Sequence, residues 1–461
     1  METFPSPPQW SVPESLQALG RRLATDLSSS PAADIIEGCL TNTWTTSMRW
    51  VVAPESGPAH RAHREVFVAT GDIPAMWLRD STAQVRPYLA VAADPEIGDV
   101  LVGLSRRQIR YVLLDPYANA FNEGPTGAHG EPDDQPTPDP WIWERKYELD
   151  SLCAPVQLAY GIWLATGRVD HLDTTFHRAA WRIVRLWRHE QTHQRSTYTF
   201  VRPTGPFAAD SLPHHGRGNP VKSTGMTWSG FRPSDDRCEH GYLVPANALA
   251  SASLHGLAEL ASTCLRDAEL AAECRALAAE IDYGILTHAV VNARSAAVLA
   301  YEVDGYGATL LGDDANLPSL LGLPLSGWCA PKDPLYRATR EMVLSDANPT
   351  FYTGRFASGV GSTHTPPDHV WPLAIASTGL TGDQDDAARA LDTLATTTAG
   401  TGLMHESFHV DDHHRFTRPW FGWANAMFSE LALNLVTDGI SHLFPRHPRA
   451  LHPTTMHETN R

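Results

Sequence analysis

The feature that most constrains the fold recurs six times: a loop rich in aromatic and acidic residues runs into a stretch of small and apolar residues. The segments are residues 71–93 (GDIPAMWLRDSTAQVRPYLAVAA), 143–166 (with ERKYELDS before LCAPVQLAYGIWLAT), 228–260 (SGFRPSDDRCEHGY before LVPANALASASLHGLAEL), the shorter 312–323 (GDDANLPSLLGL), 363–380 (THTPPDHVWPLAIASTGL) and 405–435, which ends in RPWFGWANAMFSELALNL. Between them, residues 15–27, 99–114, 171–190, 254–286, 334–344 and 385–396 carry helical apolar spacing beside a charged face. A helix that is apolar all round has to be enclosed, and one with a wet face belongs outside. Six of each predict an all-α (α/α)6 barrel, or toroid, whose six loops open at one end onto a single pocket. The repetition is of architecture and not of sequence, so a fixed-period solenoid does not apply.

No apolar-poor linker divides the 461 residues, so one catalytic domain over 1–461 is expected, with the Gly/Pro-rich stretches 124–140 and 203–220 as long loops lining or covering the pocket. A formal net charge of −16 with no long Lys/Arg run argues against nucleic acid as a partner. The same charge disfavours anionic lipid, and no run reaches the roughly 18–20 apolar residues of a membrane span. Cys39, Cys153, Cys238, Cys264, Cys274 and Cys329 are widely spread without a CxxC, which predicts reduced, mostly buried thiols. Residues 1–10 are Pro-rich and carry no secretory pattern, so a cytoplasmic location is expected.

A mouth of aromatic platforms and carboxylates suits a sugar, and hydrolysing a glycosidic bond takes two carboxyl groups. Asp235 and Asp236, adjacent in FRPSDD, are candidates for the general acid, since repulsion between neighbours can raise one pKa. Glu406, in GLMHESF, is the candidate general base. Trp77, Arg79 and Asp80 in MWLRDS offer a flat apolar face and charge-assisted bonds to hydroxyls. Asp150, Trp228, Arg232, Trp420, Trp423 and Asn425 complete the candidate sugar-binding set. Each of these types also has an ordinary structural use: paired Asp as a helix cap, Arg79–Asp80 as an ion pair beneath a core Trp.

His405 to His409 spell HESFH, matching the H-E-x-x-H of zinc peptidases. The following VDDHHRFTRPW is polar, holds a proline and lacks an apolar stripe, so the long helix that motif needs is not expected. A zinc peptidase and a non-catalytic glycan-binding protein are the competing readings.

The motifs TGDIPAMWLRDSTAQVRPY, KYELDSLCAPVQLAY, TWSGFRPSDD, GLMHESF and RPWFGWAN resemble those of glycoside hydrolase family 125, the bacterial exo-α-1,6-mannosidases, from about Thr70 to Leu435. The resemblance implies an (α/α)6 barrel, removal of a non-reducing terminal α-1,6-linked mannose with inversion, and neither metal nor cofactor. It also implies an Asp acid within PSDD, either Asp235 or Asp236, and Glu406 as base. The expected partner is an α-mannoside oligosaccharide or N-glycan fragment.

Overall fold

The computed structural model describes residues 11–52, 64–205, 207–293, 296–437 and 439–444. Stretch 1–10 lies outside them.

The helices are α1 (Glu14–Asp26), α2 (Ile36–Thr46), α3 (Leu78–Ala83), α4 (Pro95–Leu114), α5 (Leu149–Thr166), α6 (Thr174–Glu190), the irregular turn α7 (Pro213–Gly216), α8 (Val244–Leu260), α9 (Ala268–His288), α10 (Pro334–Val343), α11 (Pro372–Thr381), α12 (Gln384–Thr396) and α13 (Gly422–Val436). Neighbour contacts close a ring in the order α3, α5, α8, the 3-10 turn Leu323–Ser326, α11, α13 and back to α3. Helix α4 packs on α5, α9 on α8, and α12 on both α11 and α13, which makes the outer layer of the barrel. The chemistry of each layer explains its place. In α13 the whole run from Gly422 to Leu433 is buried, whereas α6 buries Phe176, Ala179, Ala180, Ile183, Val184, Leu186, Trp187 and Glu190 along one side and exposes Thr174, Thr175, Arg178, Arg182, Arg185 and His189 on the other. One continuous hydrophobic core runs from Leu16 to Leu443.

Helix starts differ between the layers. Asp94, Asp173, Asp267, Asp333 and Asp383 cap α4, α6, α9, α10 and α12 through their side chains. The inner helices α3, α5, α8, α11 and α13 carry no side-chain cap. Several are launched from two- or three-residue strands, such as Met76–Trp77 and Tyr242–Leu243, that belong to small antiparallel sheets at the loop end. These short pairings are the only strand content the otherwise helical class acquires among the described residues, with Met48–Val52 on Arg64–Val68 as the longest.

Two expected elements differ. The span 254–286 is not one outer helix: α8 ends at Leu260, a π turn covers Ala261–Leu265, Arg266 takes φ 55°, and Asp267 caps α9. Apolar periodicity persists across that reversal because both helices bury one side here. The fourth inner segment, 312–323, forms no α-helix, since Pro318 and Pro324 remove donors that a helix needs. Only the 3-10 turn closes the ring there.

Candidate active site

A cavity of about 400 Å³ opens at the loop end of the barrel. The first segment supplies Trp77, Arg79 and Asp80, the third Ser234 and Asp235, and the fourth Asn316. The fifth adds His364 and Trp371; the sixth adds Glu406, Arg418, Phe421 and Trp423. Five of the six recurring segments therefore line one pocket, and the second stands behind it. Below, a larger cavity of about 650 Å³ continues inside the barrel, sharing Arg79 and Trp423 as its roof and taking Asp150 into its wall.

The two adjacent acids diverge. Residues 231–237 make a tight turn closed by the Phe231–Arg237 bridge and by Arg232 N–H donating to the Asp236 carbonyl at 2.7 Å. Asp235 occupies the left-handed position of that turn at φ 67°, which Asp tolerates better than most residues. Its partly exposed side chain enters the pocket. Asp236 is buried and turns the other way, accepting from Thr363 Oγ1 at 2.7 Å and standing 3.3 Å from His364 Nδ1. Repulsion between the two does not set their protonation. Burial opposes ionisation of both, yet Lys146 and Arg79 hold Asp235 below the usual carboxylate value, and His364 with Thr363 does the same for Asp236.

Glu406 is partly exposed on the sixth loop, with Arg418 Nη1 3.4 Å from Oε1. Arg418 is held in turn by Asp72 and by the Thr70 carbonyl. It passes Gly71, whose φ is 60° and where a Cβ would stand 2.8 Å from the guanidinium, so glycine is required there. The segment holding HESFH is not helical. His405 stacks on Phe416 at 3.9 Å with its Nδ1 on the Arg418 and Pro419 carbonyls, while His409 lies in the strand Phe408–His409 against the His369 ring. The two imidazoles do not share one helix face, which is what the zinc reading needs.

Four buried polar atoms of residues lining this pocket lack a hydrogen-bond partner among the described residues: Trp77 Nε1 and Arg79 Nε, both donors, Asp80 Oδ2, an acceptor, and Ser234 Oγ, which can be either. Such atoms cost free energy unless something satisfies them. Arg79 Nη2 stands 3.4 Å from Asp80 Oδ2, but burial still pushes the Asp80 pKa up to about 6. A sugar hydroxyl, both donor and acceptor, meets either need.

The remaining predicted residues take other places. Trp228 is buried, stacked on His193 at 3.5 Å and on Tyr147, and lines neither cavity. Arg232 is spent on Glu302 at 2.6 Å. Asp150 pairs with Arg79 at 3.0 Å behind the pocket, and Trp420 sits beside Gly71 outside its lining. Asn425 is fully buried: its Oδ1 accepts from Met404 N at 2.8 Å and its Nδ2 donates to Asn42, so it braces the loop that carries Glu406. The loops 124–140 and 203–220 do not line the pocket among their described residues. They meet where Thr204 Oγ1 donates to Asp133 at 3.2 Å, and just before the second loop Val201 pairs with Gln135 and Arg202 makes a bidentate contact to Asp134.

Sequence reasoning missed His364, Trp371, Asn316, Arg418 and Glu148. All lie inside the recurring segments, so the loops were marked but their polar residues were not ranked. Among the described residues no helix is long and apolar enough to cross a membrane, and no group of three His, Cys, Asp or Glu is placed to hold a metal.

Comparison with known proteins agrees with this geometry. Residues 30–433 match the family model described as metal-independent alpha-mannosidase, GH125. A solved structure of a metal-independent α-mannosidase from Streptococcus pneumoniae, in a non-productive complex with α-1,6-mannobiose, is 42% identical, with a TM-score of 0.87 over 92% of this chain and 99% of that one. The Meiotically up-regulated gene 157 protein of Schizosaccharomyces pombe is 37% identical over 89% of this chain and 83% of its own length, so the likeness extends beyond bacteria. A bacterial glucoamylase complexed with acarbose, at 13% identity and TM-score 0.53 over 80% of this chain and 50% of its own, shows the shared barrel fold alone. The chain belongs to the family of metal-independent α-mannosidases, GH125.

Proposed function

We propose that this protein is an exo-acting α-mannosidase that hydrolyses a non-reducing terminal α-1,6-linked mannose with inversion, using Asp235 as general acid and Glu406 as general base and no metal. The observation that carries the reading is the convergence of these two carboxyl groups, from the third and sixth segments, on one pocket of sugar size. Asp235 is preferred to Asp236 because only Asp235 lines that pocket. Trp77, Trp371, Phe421 and Trp423 supply apolar faces for the ring, and Asp80 and the Trp77 indole N–H supply bonds to its hydroxyls. Asp235 protonates the glycosidic oxygen as the bond to the anomeric carbon breaks. Water attacks from the opposite face and gives its proton to Glu406.

The α-1,6-mannobiose bound to the pneumococcal relative supports the linkage, and that structure's concern with processing of N-linked glycans supports a mannoside oligosaccharide or N-glycan fragment as substrate. The continuous core supports a single catalytic domain. Six free thiols, five of them buried, fit a reducing compartment and so the cytoplasm.

The test is a panel of α-1,2-, α-1,3- and α-1,6-mannobioses incubated in the presence of chelator. Release of mannose from the α-1,6 isomer, abolished in Glu406→Gln while mannoside binding by calorimetry persists, is expected. Normal cleavage by Glu406→Gln would place the base elsewhere, and loss of activity with chelator would return the zinc reading.

A further inference from the structure

A general acid has to carry a proton, yet its surroundings hold Asp235 ionised. Lys146 Nζ donates to its backbone carbonyl at 2.8 Å, and the positive charges of Lys146 and Arg79 outweigh the effect of burial. Behind it lies Glu148, the residue before α5, whose side chain is fully buried. Asn119 Nδ2 stands 3.3 Å from both Glu148 Oε1 and Asp235 Oδ1 and 2.9 Å from Glu144 Oε1, so three carboxyls converge on one nitrogen that has only two hydrogens to give. A buried carboxyl that finds no hydrogen to accept there is held most cheaply when it carries a proton itself and donates to a neighbour.

The charge balance agrees. Arg79 and Lys146 face the carboxyls of Asp80, Glu144, Glu148, Asp150, Asp210 and Asp235; Arg202 reaches Glu144 at 2.7 Å but also pairs with Asp134, and His364 acts on Asp235 from the fifth loop. Full ionisation would still bury an excess of negative charge, which is costly. Burial first, then the charges of Asp235 and Asp150, push the Glu148 pKa well up in spite of Arg79.

We propose that Glu148 is a positioning residue that stores the acid's proton: it and Asp235 hold one proton between them, and Glu148 passes it to Asp235 when substrate fills the pocket. This rests on Asp235 being the general acid. With the pocket open, water solvates the partly exposed Asp235 carboxylate and the proton stays on Glu148. A bound mannoside displaces that water and destabilises the Asp235 anion. The Glu148 O–H bond then breaks as an Asp235 O–H bond forms, and the carboxylate left on Glu148 is caught by Arg79 Nη1 at 2.6 Å and by the Ser151 hydroxyl at 2.7 Å. Asp235 gives the proton to the leaving oxygen, and Glu406 gains one from water. After release, Glu406 returns its proton to solvent and the pair regains one through Asp235, its solvent-facing member.

The experiment compares Glu148→Gln with Asp235→Asn on two substrates, α-1,6-mannobiose and 2,4-dinitrophenyl α-mannoside, whose leaving group departs as a stable anion and needs no acid. For Glu148→Gln, kcat/KM on the mannobiose should fall about 100-fold, within the usual worth of general acid catalysis, and on the aryl mannoside by no more than about threefold. The alkaline limb of the mannobiose profile should move to lower pH. An equal fall on both substrates, or no fall on the mannobiose, overturns the proposal while Asp235→Asn still shows the split. Absence of the split in Asp235→Asn refutes Asp235 as the acid. Should Glu148→Gln fail to fold, the wild-type protein decides. Its infrared spectrum at neutral pH should contain a neutral-carboxyl band that shifts on binding a thio-linked α-1,6-mannobiose, and no ligand-sensitive band of that kind overturns the proposal.

Discussion

Asp235 and Asp236 are neighbours with different employment, and the turn they share makes the difference testable. Asp235→Asn removes the proposed proton donor and should lower kcat on α-1,6-mannobiose by about 10² to 10⁴-fold. Asp236→Asn keeps the turn and loosens His364, so steady-state kinetics should show a loss of no more than about tenfold; the reverse order would exchange their roles. The His364–Asp236 pair also links stability to pH. Burial alone would lower the His364 pKa, but the Asp236 hydrogen bond, with Asp235, Asp236 and Glu406 charges, pushes it up to about 9 from 6.5. A raised pKa means a contribution fully present below pH 6.5 and lost as pH climbs through about 9. The ring is 38% exposed, so solvent screening keeps the effect modest. Thermal melts should show wild type above His364→Gln at pH 6 and the two merging above pH 9; a constant gap would mean that the imidazolium is not what the fold rewards. The sequence marked the paired acids and Glu406 because carboxyls in aromatic loops are unusual. It could not rank Asp235 over Asp236, since their divergence depends on a left-handed φ at one position. Trp228 and Arg232 were read toward the pocket because loop aromatics and arginines look alike whether they face a ligand, a histidine ring or a buried glutamate.

At the scale of elements, two inner helices repeat one device. Asn425 of α13 accepts from Met404 N at 2.8 Å, and Asn247 of α8 accepts from Thr227 N at 2.8 Å while donating to the Thr227 carbonyl. Each amide pins the loop that precedes its own helix, the first carrying Glu406 and the second leading to Asp235. The outer helices α4, α6, α9, α10 and α12 start on a capping Asp instead. Asn425→Ala leaves the Met404 N–H unsatisfied in the interior, which should cost about 1–3 kcal/mol in denaturant unfolding and lower kcat more than it raises KM. An unchanged kcat at reduced stability would show that the loop is held by other contacts. The inner and outer alternation was legible because burial writes itself into composition: α8, α11 and α13 lack a polar face, and α1, α6 and α12 have one. The turn from α8 to α9 was not, because the reversal is set by Arg266 and Asp267 alone. Helix α2 escaped notice since it is buried against α13 without a wide apolar stripe.

For the whole molecule, ring closure bears on the inversion proposed above. The six segments succeed one another around the ring, so the third and the sixth are three places apart and stand across it from each other. Asp235 and Glu406 belong to those two segments and line one cavity. A retaining enzyme needs its carboxyls close enough for one to bond the anomeric carbon, about 5–5.5 Å apart, whereas inversion needs about 6.5–9.5 Å to admit a water between base and sugar. Placement across the ring favours the wider gap. Arg79 and Trp423 lie at the base of the cavity, between it and the larger cavity inside the barrel, and a pocket with a base suits a chain end better than a polymer passing through. Proton NMR of α-1,6-mannobiose turnover, recorded before mutarotation, should therefore show β-mannose appearing first, and longer α-1,6-mannosides should shorten by one residue at a time from the non-reducing end. First appearance of α-mannose, or of internal fragments from a trisaccharide blocked at its non-reducing end, would contradict the geometry that closure of the ring imposes.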